Sequence, residues 1–289
     1  MNPYRRWVER FEQLLREGAG LPLGGLEPLP RVAPGRDAPV ALLLSPHPDD
    51  EVLSGGLALR LMREAGWRVL DVAVTLGSNE ARQVERRREL DACCSFIGFE
   101  LVAAAPGGAG PVSLQARAAD GAGWAARVEA VATLIEKHAP RAVFFPHAED
   151  WNTTHVGTHQ LVVDALATLG PAFRTYTVET EFWGAAREPN LLVELGASDV
   201  ADLVAALGFH VGEVRRNPYH VTLPAQLIDA VRRGGELVLG QGRPAPAFSF
   251  ASLYRLRRWK DGGFAPALAQ GRALSIMDDV RGLMPGDAG

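Results

Sequence analysis

The chain has 289 residues, 47% apolar and 22% charged, with a formal net charge of −4 at neutral pH. These values exclude a wholly disordered or collagen-like chain, and they leave no basic field for nucleic-acid phosphates or anionic lipid. The length suits one large or two modest domains. Of 30 basic residues, all but Lys137 and Lys260 are arginine, a bias read as mostly compositional. Cys93 and Cys94 are adjacent and point in different directions on a helix, so no disulfide framework is expected, which fits a reducing, cytoplasmic setting. No run of 18 apolar residues occurs, so no membrane span is expected. The charged, amphipathic N-terminus does not read as a signal peptide.

Residues 4–17 place Tyr4, Trp7, Val8, Phe11, Leu14 and Leu15 on one stripe and predict a helix. Residues 18–38 are rich in Gly and Pro and read as an irregular connector. The continuous apolar run at 40–44 predicts a strand buried on both faces. A helix over 51–65, a strand over 68–76, a helix over 80–97 ended by Gly98 and a short strand over 99–103 follow. Residues 104–123 read as a Gly/Ala/Pro-rich loop. Then come a helix over 124–138, a strand over 141–146 and a helix over 155–169. This β-α-β-α order predicts an α/β fold: a Rossmann-like three-layer sandwich around a mostly parallel sheet, with C-terminal additions. The additions are strands over 174–183 and 248–259 and helices over 197–207 and 223–233. The expected organisation is a helix and connector over 1–38 and a single domain over 39–289, elaborated from about residue 171.

Ligands of open α/β sheets bind outside the carboxyl ends of the strands. Two such ends carry metal-ligand chemistry. One is Ser45-Pro46-His47-Pro48-Asp49-Asp50-Glu51; the other runs from Pro146-His147 through Glu149-Asp150 and Asn152 to His155. Pro48 holds His47 extended. Asp49 and Asp50 fall where a helix begins; capping that helix needs one carboxylate and no preceding histidine. The pattern fits a division of labour in which one carboxylate joins His47 on a metal and its neighbour serves as general base. A catalytic zinc typically takes three protein ligands, and His155 or His147 supplies a third.

The segment from Pro46 to Glu51 after a buried strand resembles the opening motif of the LmbE/PIG-L family, zinc-dependent de-N-acetylases acting largely on N-acetylglucosamine-type substrates. The resemblance extends through Thr75-Leu76-Gly77 and the Arg86-Arg87-Arg88-Glu89-Leu90 helix, ended by Gly98, to the His155 segment, and so covers about residues 40–170. It implies that His47, Asp50 and His155 are metal ligands, that Asp49 is the general base and that Arg86 contacts substrate. Asn152 stands where the family commonly has the first histidine of a His-x-x-His pattern, a residue thought to steady the oxyanion or protonate the departing amine. Asparagine can hydrogen-bond an oxyanion but cannot deliver a proton. The candidates to do so are His147, His159, His220 or Asp150, or Asp49 acting first as base and then as acid. Asp150 can equally anchor its loop or orient a ligand histidine.

The expected activity is therefore a metal-dependent amide hydrolase that releases acetate from an N-acetylated amino sugar or glycoconjugate. Its metal is Zn2+, with Fe2+ or another divalent ion open, because a His₂Asp set alone does not choose. Asp49 and Asn152 are the catalytic candidates, His47, Asp50 and His155 the metal ligands, and Arg86, His159 and His147 the substrate contacts. The competing expectations are a hydrolase of a different C–N bond and a catalytically weakened, metal-containing sugar-binding module. Dinucleotide binding is disfavoured, since the first strand leads into no G-x-G-x-x-G loop. Glu179–Trp183 and Arg215–His220 are secondary candidates for sugar contact and for closing over the substrate. The oligomeric state is left open.

Overall fold

The computed structural model describes residues 2–31, 33–102 and 110–286. The chain begins with α1 (Arg5–Ala19) and an irregular stretch, then enters β1 (Val40–Ser45). The continuous apolar run of β1 is explained by its burial on both faces. Ala41 and Leu43 join one apolar core, whereas Val40, Leu42 and Leu44 join a second. The helix expected over 51–65 is two helices, α2 (Asp50–Leu53) and α3 (Gly56–Ala65). The break falls at Ser54-Gly55, where a Cβ on Gly55 would lie 2.4 Å from the Glu51 carbonyl oxygen.

β2 (Arg68–Ala73), α4 (Glu80–Ile97) and β3 (Glu100–Val102) follow as expected. Residues 104–109 of the presumed loop lie outside the described residues. Its remainder is not a loop: Ser113 caps α5 (Leu114–Ala119) and Asp120 caps α6 (Gly121–His138), each by accepting a backbone N–H. Glycine and alanine density hid α5 and the first three residues of α6, the helix expected over 124–138, whose start signals are these single polar residues. β4 (Ala142–Pro146), α7 (Thr153–Thr168) and β5 (Thr175–Thr180) complete the regular part.

Beyond it come β6 (Leu191–Leu195), α8 (Ala197–Leu207), α9 (Val211–Arg216), α10 (Tyr219–Val238), β7 (Phe250–Lys260), β8 (Gly263–Pro266) and β9 (Arg272–Leu274). β6, β8, β9 and α9 were not expected from sequence, and α10 runs well beyond the helix read at 223–233, with Pro224 inside it.

The sheet order is β3-β2-β1-β4-β5-β7-β6-β9, with β8 on β7. The first five strands run parallel, and β7 enters antiparallel to both β5 and β6. The fold is thus a mixed α/β architecture with a mostly parallel sheet flanked by helices. α2, α3, α4 and α8 contribute to the core on one face, and α6 and α7 to the core on the other. The order reverses between β1 and β4, which pair in parallel register from Ala41↔Ala142 to Leu43↔Phe144. A crevice must open at the carboxyl ends of these neighbours, because their following helices depart to opposite faces. No described helix is long and apolar enough to cross a membrane.

Candidate metal centre and cleft

The carboxyl ends of β1 and β4 bring together residues more than a hundred positions apart. Asp50 Oδ2 lies 3.3 Å from His47 Nδ1 and 3.3 Å from His155 Nε2. One donor atom from each of the three lies within 4.8 Å of the others. Asp50 Oδ2 also accepts the His47 backbone N–H at 2.9 Å, which fixes the carboxylate toward the strand end.

This group fits a metal ion. His155 is fully buried, yet among the described residues neither ring nitrogen makes a hydrogen bond. A buried imidazole without partners is costly unless something occupies its lone pair. Donor atoms 3.3 Å apart are spaced like an edge of a tetrahedron with metal bonds of roughly 2.0–2.1 Å. Asp150 lies on the far side of His155, with Oδ1 3.6 Å from Nδ1, positioned to orient the ring. Asp150 also accepts the backbone N–H groups of Asn152 at 2.9 Å and Gly184 at 3.3 Å, so it anchors its loop as well. Burial alone would lower the His155 pKa; the charge of Asp50, then Asp150, raises it to about 10. Against burial, His155 and His47 hold Asp50 well below the usual carboxylate range.

Asp49 is a non-glycine residue at φ 115°, a conformation that persists only where its surroundings impose it. Its side chain makes no capping bond to α2, so capping does not explain it. Its backbone N–H donates to Glu51 Oε2 at 2.7 Å, and Tyr219 Oη donates to its Oδ2 at 2.5 Å. Glu51 is in turn held by His210 Nε2 at 2.7 Å and by the Cys93 thiol at 3.1 Å, all three side chains buried. Burial first, and Asp50 beside it, push the Asp49 carboxyl up to about 8.

A cleft of about 320 Å³ opens over this group, lined by His47, Asp49, Asp50, Arg86, Asn152 and Tyr219 among others. Arg86 donates to the Pro48 carbonyl at 3.0 Å and passes 3.8 Å from Asp49. It reaches there over Gly77, at φ 85°, where a Cβ would lie 2.2 Å from Arg86 Nη1. Asn152 caps α7, its Oδ1 accepting the Thr154 N–H at 2.8 Å, which leaves its amide N–H₂ as the group to face the cleft. One wall is polar: Glu213 gathers Arg82 at 2.8 Å and Arg216 at 2.5 Å.

His147 and His159 are not brought to this cleft, contrary to the expected substrate contacts. They line a separate cavity of about 400 Å³ with Glu179 and Arg257. His147 Nε2 bonds the Gly184 carbonyl at 2.8 Å and His159 Nδ1 the Pro146 carbonyl at 2.9 Å, so both rings tie down backbone. Position 159 lies one helical turn beyond His155, but the ring turns to β4 and β5 instead. Glu181 of the secondary segment pairs with Arg233, leaving Phe182 and Trp183 at the cleft side.

Tyr219, Glu51 and His210 form the part of the site that sequence reading assigned no role. Tyr219 sat inside the segment singled out as a lid, and Glu51 inside the first motif. His210 carries no local signal at all.

Residues 42–166 match the model of the PIG-L family, described as GlcNAc-PI de-N-acetylase. That segment runs from β1 through α7 and contains all three donors, and the resemblance read from the sequence is shown over it. Among solved structures, the chain is similar to N,N'-diacetylchitobiose deacetylase from Pyrococcus horikoshii complexed with its inhibitor MPG, at 16% identity and TM-score 0.55, covering 91% of this chain and 96% of that chain. It is similar to the zinc-inhibited form of teicoplanin deacetylase Orf2, at 16% identity and TM-score 0.53, covering 77% and 99%. It is also similar to GalB, the 4-carboxy-2-hydroxymuconate hydratase from Pseudomonas putida KT2440, at 17% identity and TM-score 0.52, covering 75% and 95%. At these identities the likeness establishes the fold. A sequence comparison with curated proteins gives no match.

Proposed function

We propose that this protein is a metal-dependent amide hydrolase that removes the acyl group from an N-acylated amino sugar or glycoconjugate. The observation that carries the reading is the pairing of the largely buried His47/Asp50/His155 donor group with a neighbouring carboxylate, Asp49, that neither caps its helix nor belongs to that group. The match to a family described as GlcNAc-PI de-N-acetylase supports it, as do fold neighbours named as deacetylases.

His47, Asp50 and His155 would hold the ion, best read as Zn2+. When bound, it supplies Lewis-acid polarisation of the amide carbonyl and lowers the pKa of water toward ~7. Asp49 takes the proton from the attacking water, with Tyr219 donating to the same carboxylate and fixing its direction. A cation held by His47, Asp50 and His155 would oppose the upward shift that burial and Asp50 impose on Asp49, and so would favour its base form. Asn152 presents its amide N–H to the tetrahedral oxyanion. Asparagine carries no proton for the leaving amine, and none of His147, His159, His220 and Asp150 is among the residues that line the cleft. Asp49 therefore returns its proton to the amine as the C–N bond breaks. Arg86 and the Arg82–Glu213–Arg216 wall offer donors and an acceptor to sugar hydroxyls.

The test is metal analysis of the purified protein joined to an assay of acid release from N-acetylated amino sugars. Stoichiometric divalent metal with acetate release supports the reading. Metal-loaded protein that releases no acid from any N-acyl amino sugar overturns it.

A further inference from the structure

An amide has two substituents, and two compartments share the Trp183–Tyr219 wall beside the donor group. The polar cleft suits a hydroxylated amine. The other compartment is a groove of about 270 Å³ lined by Leu53, Phe182, Trp183, Tyr219, Thr222 and Ala225, with Gln226. It adjoins the cleft: Trp183 and Tyr219 line both, their rings edge-on at 5.8 Å. It starts beside the reacting centre. The Phe182 ring stands edge-on to His155 at 4.7 Å, and Leu53 ends the short helix that Asp50 begins. Tyr219 is the partition, with its hydroxyl on Asp49 and its body among the apolar lining.

The size of this groove does not match an acetyl group. A methyl takes up on the order of one water's share of volume, about 30 Å³, a small fraction of the groove. Trp183, 40% exposed, is a large aromatic left facing solvent beside the site, and an exposed apolar surface adjoining a polar reaction centre marks ligand contact. Resting on the hydrolase reading above, we propose that the groove is an acyl subsite and that the preferred substrates carry an N-acyl chain longer than acetyl, of roughly four to eight carbons. Hydrolysis adds water across the C–N bond and releases the chain as its carboxylic acid and the amino sugar as its amine, with no further co-reactant.

The experiment compares kcat/KM of the metal-loaded protein on N-acetyl-, N-butanoyl-, N-hexanoyl- and N-octanoylglucosamine, detecting the released acid. Each buried methylene favours its own pocket about tenfold or more, so the hexanoyl substrate is expected to exceed the acetyl one at least tenfold. Ala225→Phe, on the exposed mouth of the groove, is expected to lower the hexanoyl-to-acetyl ratio by tenfold or more. Acetate release with equal or slower release of the longer acids overturns the acyl subsite while leaving the hydrolase reading standing, and so does an Ala225→Phe ratio equal to wild type. No acid from any member of the series overturns both.

Discussion

His210 Nε2 sits 2.7 Å from Glu51 Oε1, and both side chains are removed from water. The pair joins the C-terminal addition to the first loop of the sheet, and its other end, Glu51 Oε2, holds the Asp49 backbone N–H at 2.7 Å. A charge buried this deeply is tolerable only when paired. The strained backbone of Asp49 thus depends on a residue 161 positions later, since 210 minus 49 is 161.

His210→Phe leaves the Glu51 carboxylate buried and short of its strongest partner. It is expected to destabilise the fold by about 3–5 kcal/mol, read from denaturant unfolding. Burial opposes charge on His210, but Glu51 outweighs it and raises the imidazole pKa. A raised folded-state value means stability fully present below the ordinary value of about 6.5 and lost as pH rises through the folded value. The gap between wild type and His210→Phe should therefore narrow on the alkaline side. A gap that widens there contradicts a charged His210.

Metal content separates ligands from base. His47→Ala, Asp50→Ala and His155→Ala are each expected to lose the ion together with turnover. Asp49→Asn is expected to keep the ion and lose about 10²–10⁴-fold in kcat. Retention of metal by all three ligand variants refutes the assignment.

Tyr219→Phe removes a single hydroxyl from the Asp49 carboxylate while keeping the ring that lines the groove. The expected result is a fall of about tenfold or more in kcat with KM little changed, the pattern of an interaction made in the transition state. An equal rise in KM with kcat intact assigns Tyr219 to substrate binding alone.

Gly77→Ala tests the path of Arg86. A Cβ there meets Arg86 Nη1 at 2.2 Å, and φ 85° is unfavourable to any side chain by about 1–2 kcal/mol. The variant should fold with that modest loss of stability and show a raised KM as Arg86 is pushed aside. Unchanged kinetics in steady-state assays removes Arg86 from the substrate-binding set.

Much of the fold was legible because its signals are local. The apolar runs of β1 and β4 are continuous, since parallel central strands are buried on both faces, and the helices between them end at Gly98 and His138 as their patterns require. The failures are equally physical. β6 and β9 are short pieces whose strand character comes from pairing with β7 and with each other. α5 and α6 begin in a Gly/Ala-rich stretch where only Ser113 and Asp120 mark the starts.

The sequence by itself supplied the candidate donor chemistry. His47, Asp49 and Asp50 stand together in one short loop, and His155 follows β4, which this sheet's order sets beside β1. Tertiary structure alone decided which histidines face that loop. His155 and His159 share a helix, yet one turns to Asp50 and the other to the Pro146 carbonyl, because β5 supplies Glu179 on that side. It also decided the partners of Asp49. Tyr219 and His210 arrive from the C-terminal addition, and no spacing in a linear chain encodes a contact that only the packing of α9 and α10 against the sheet's end creates.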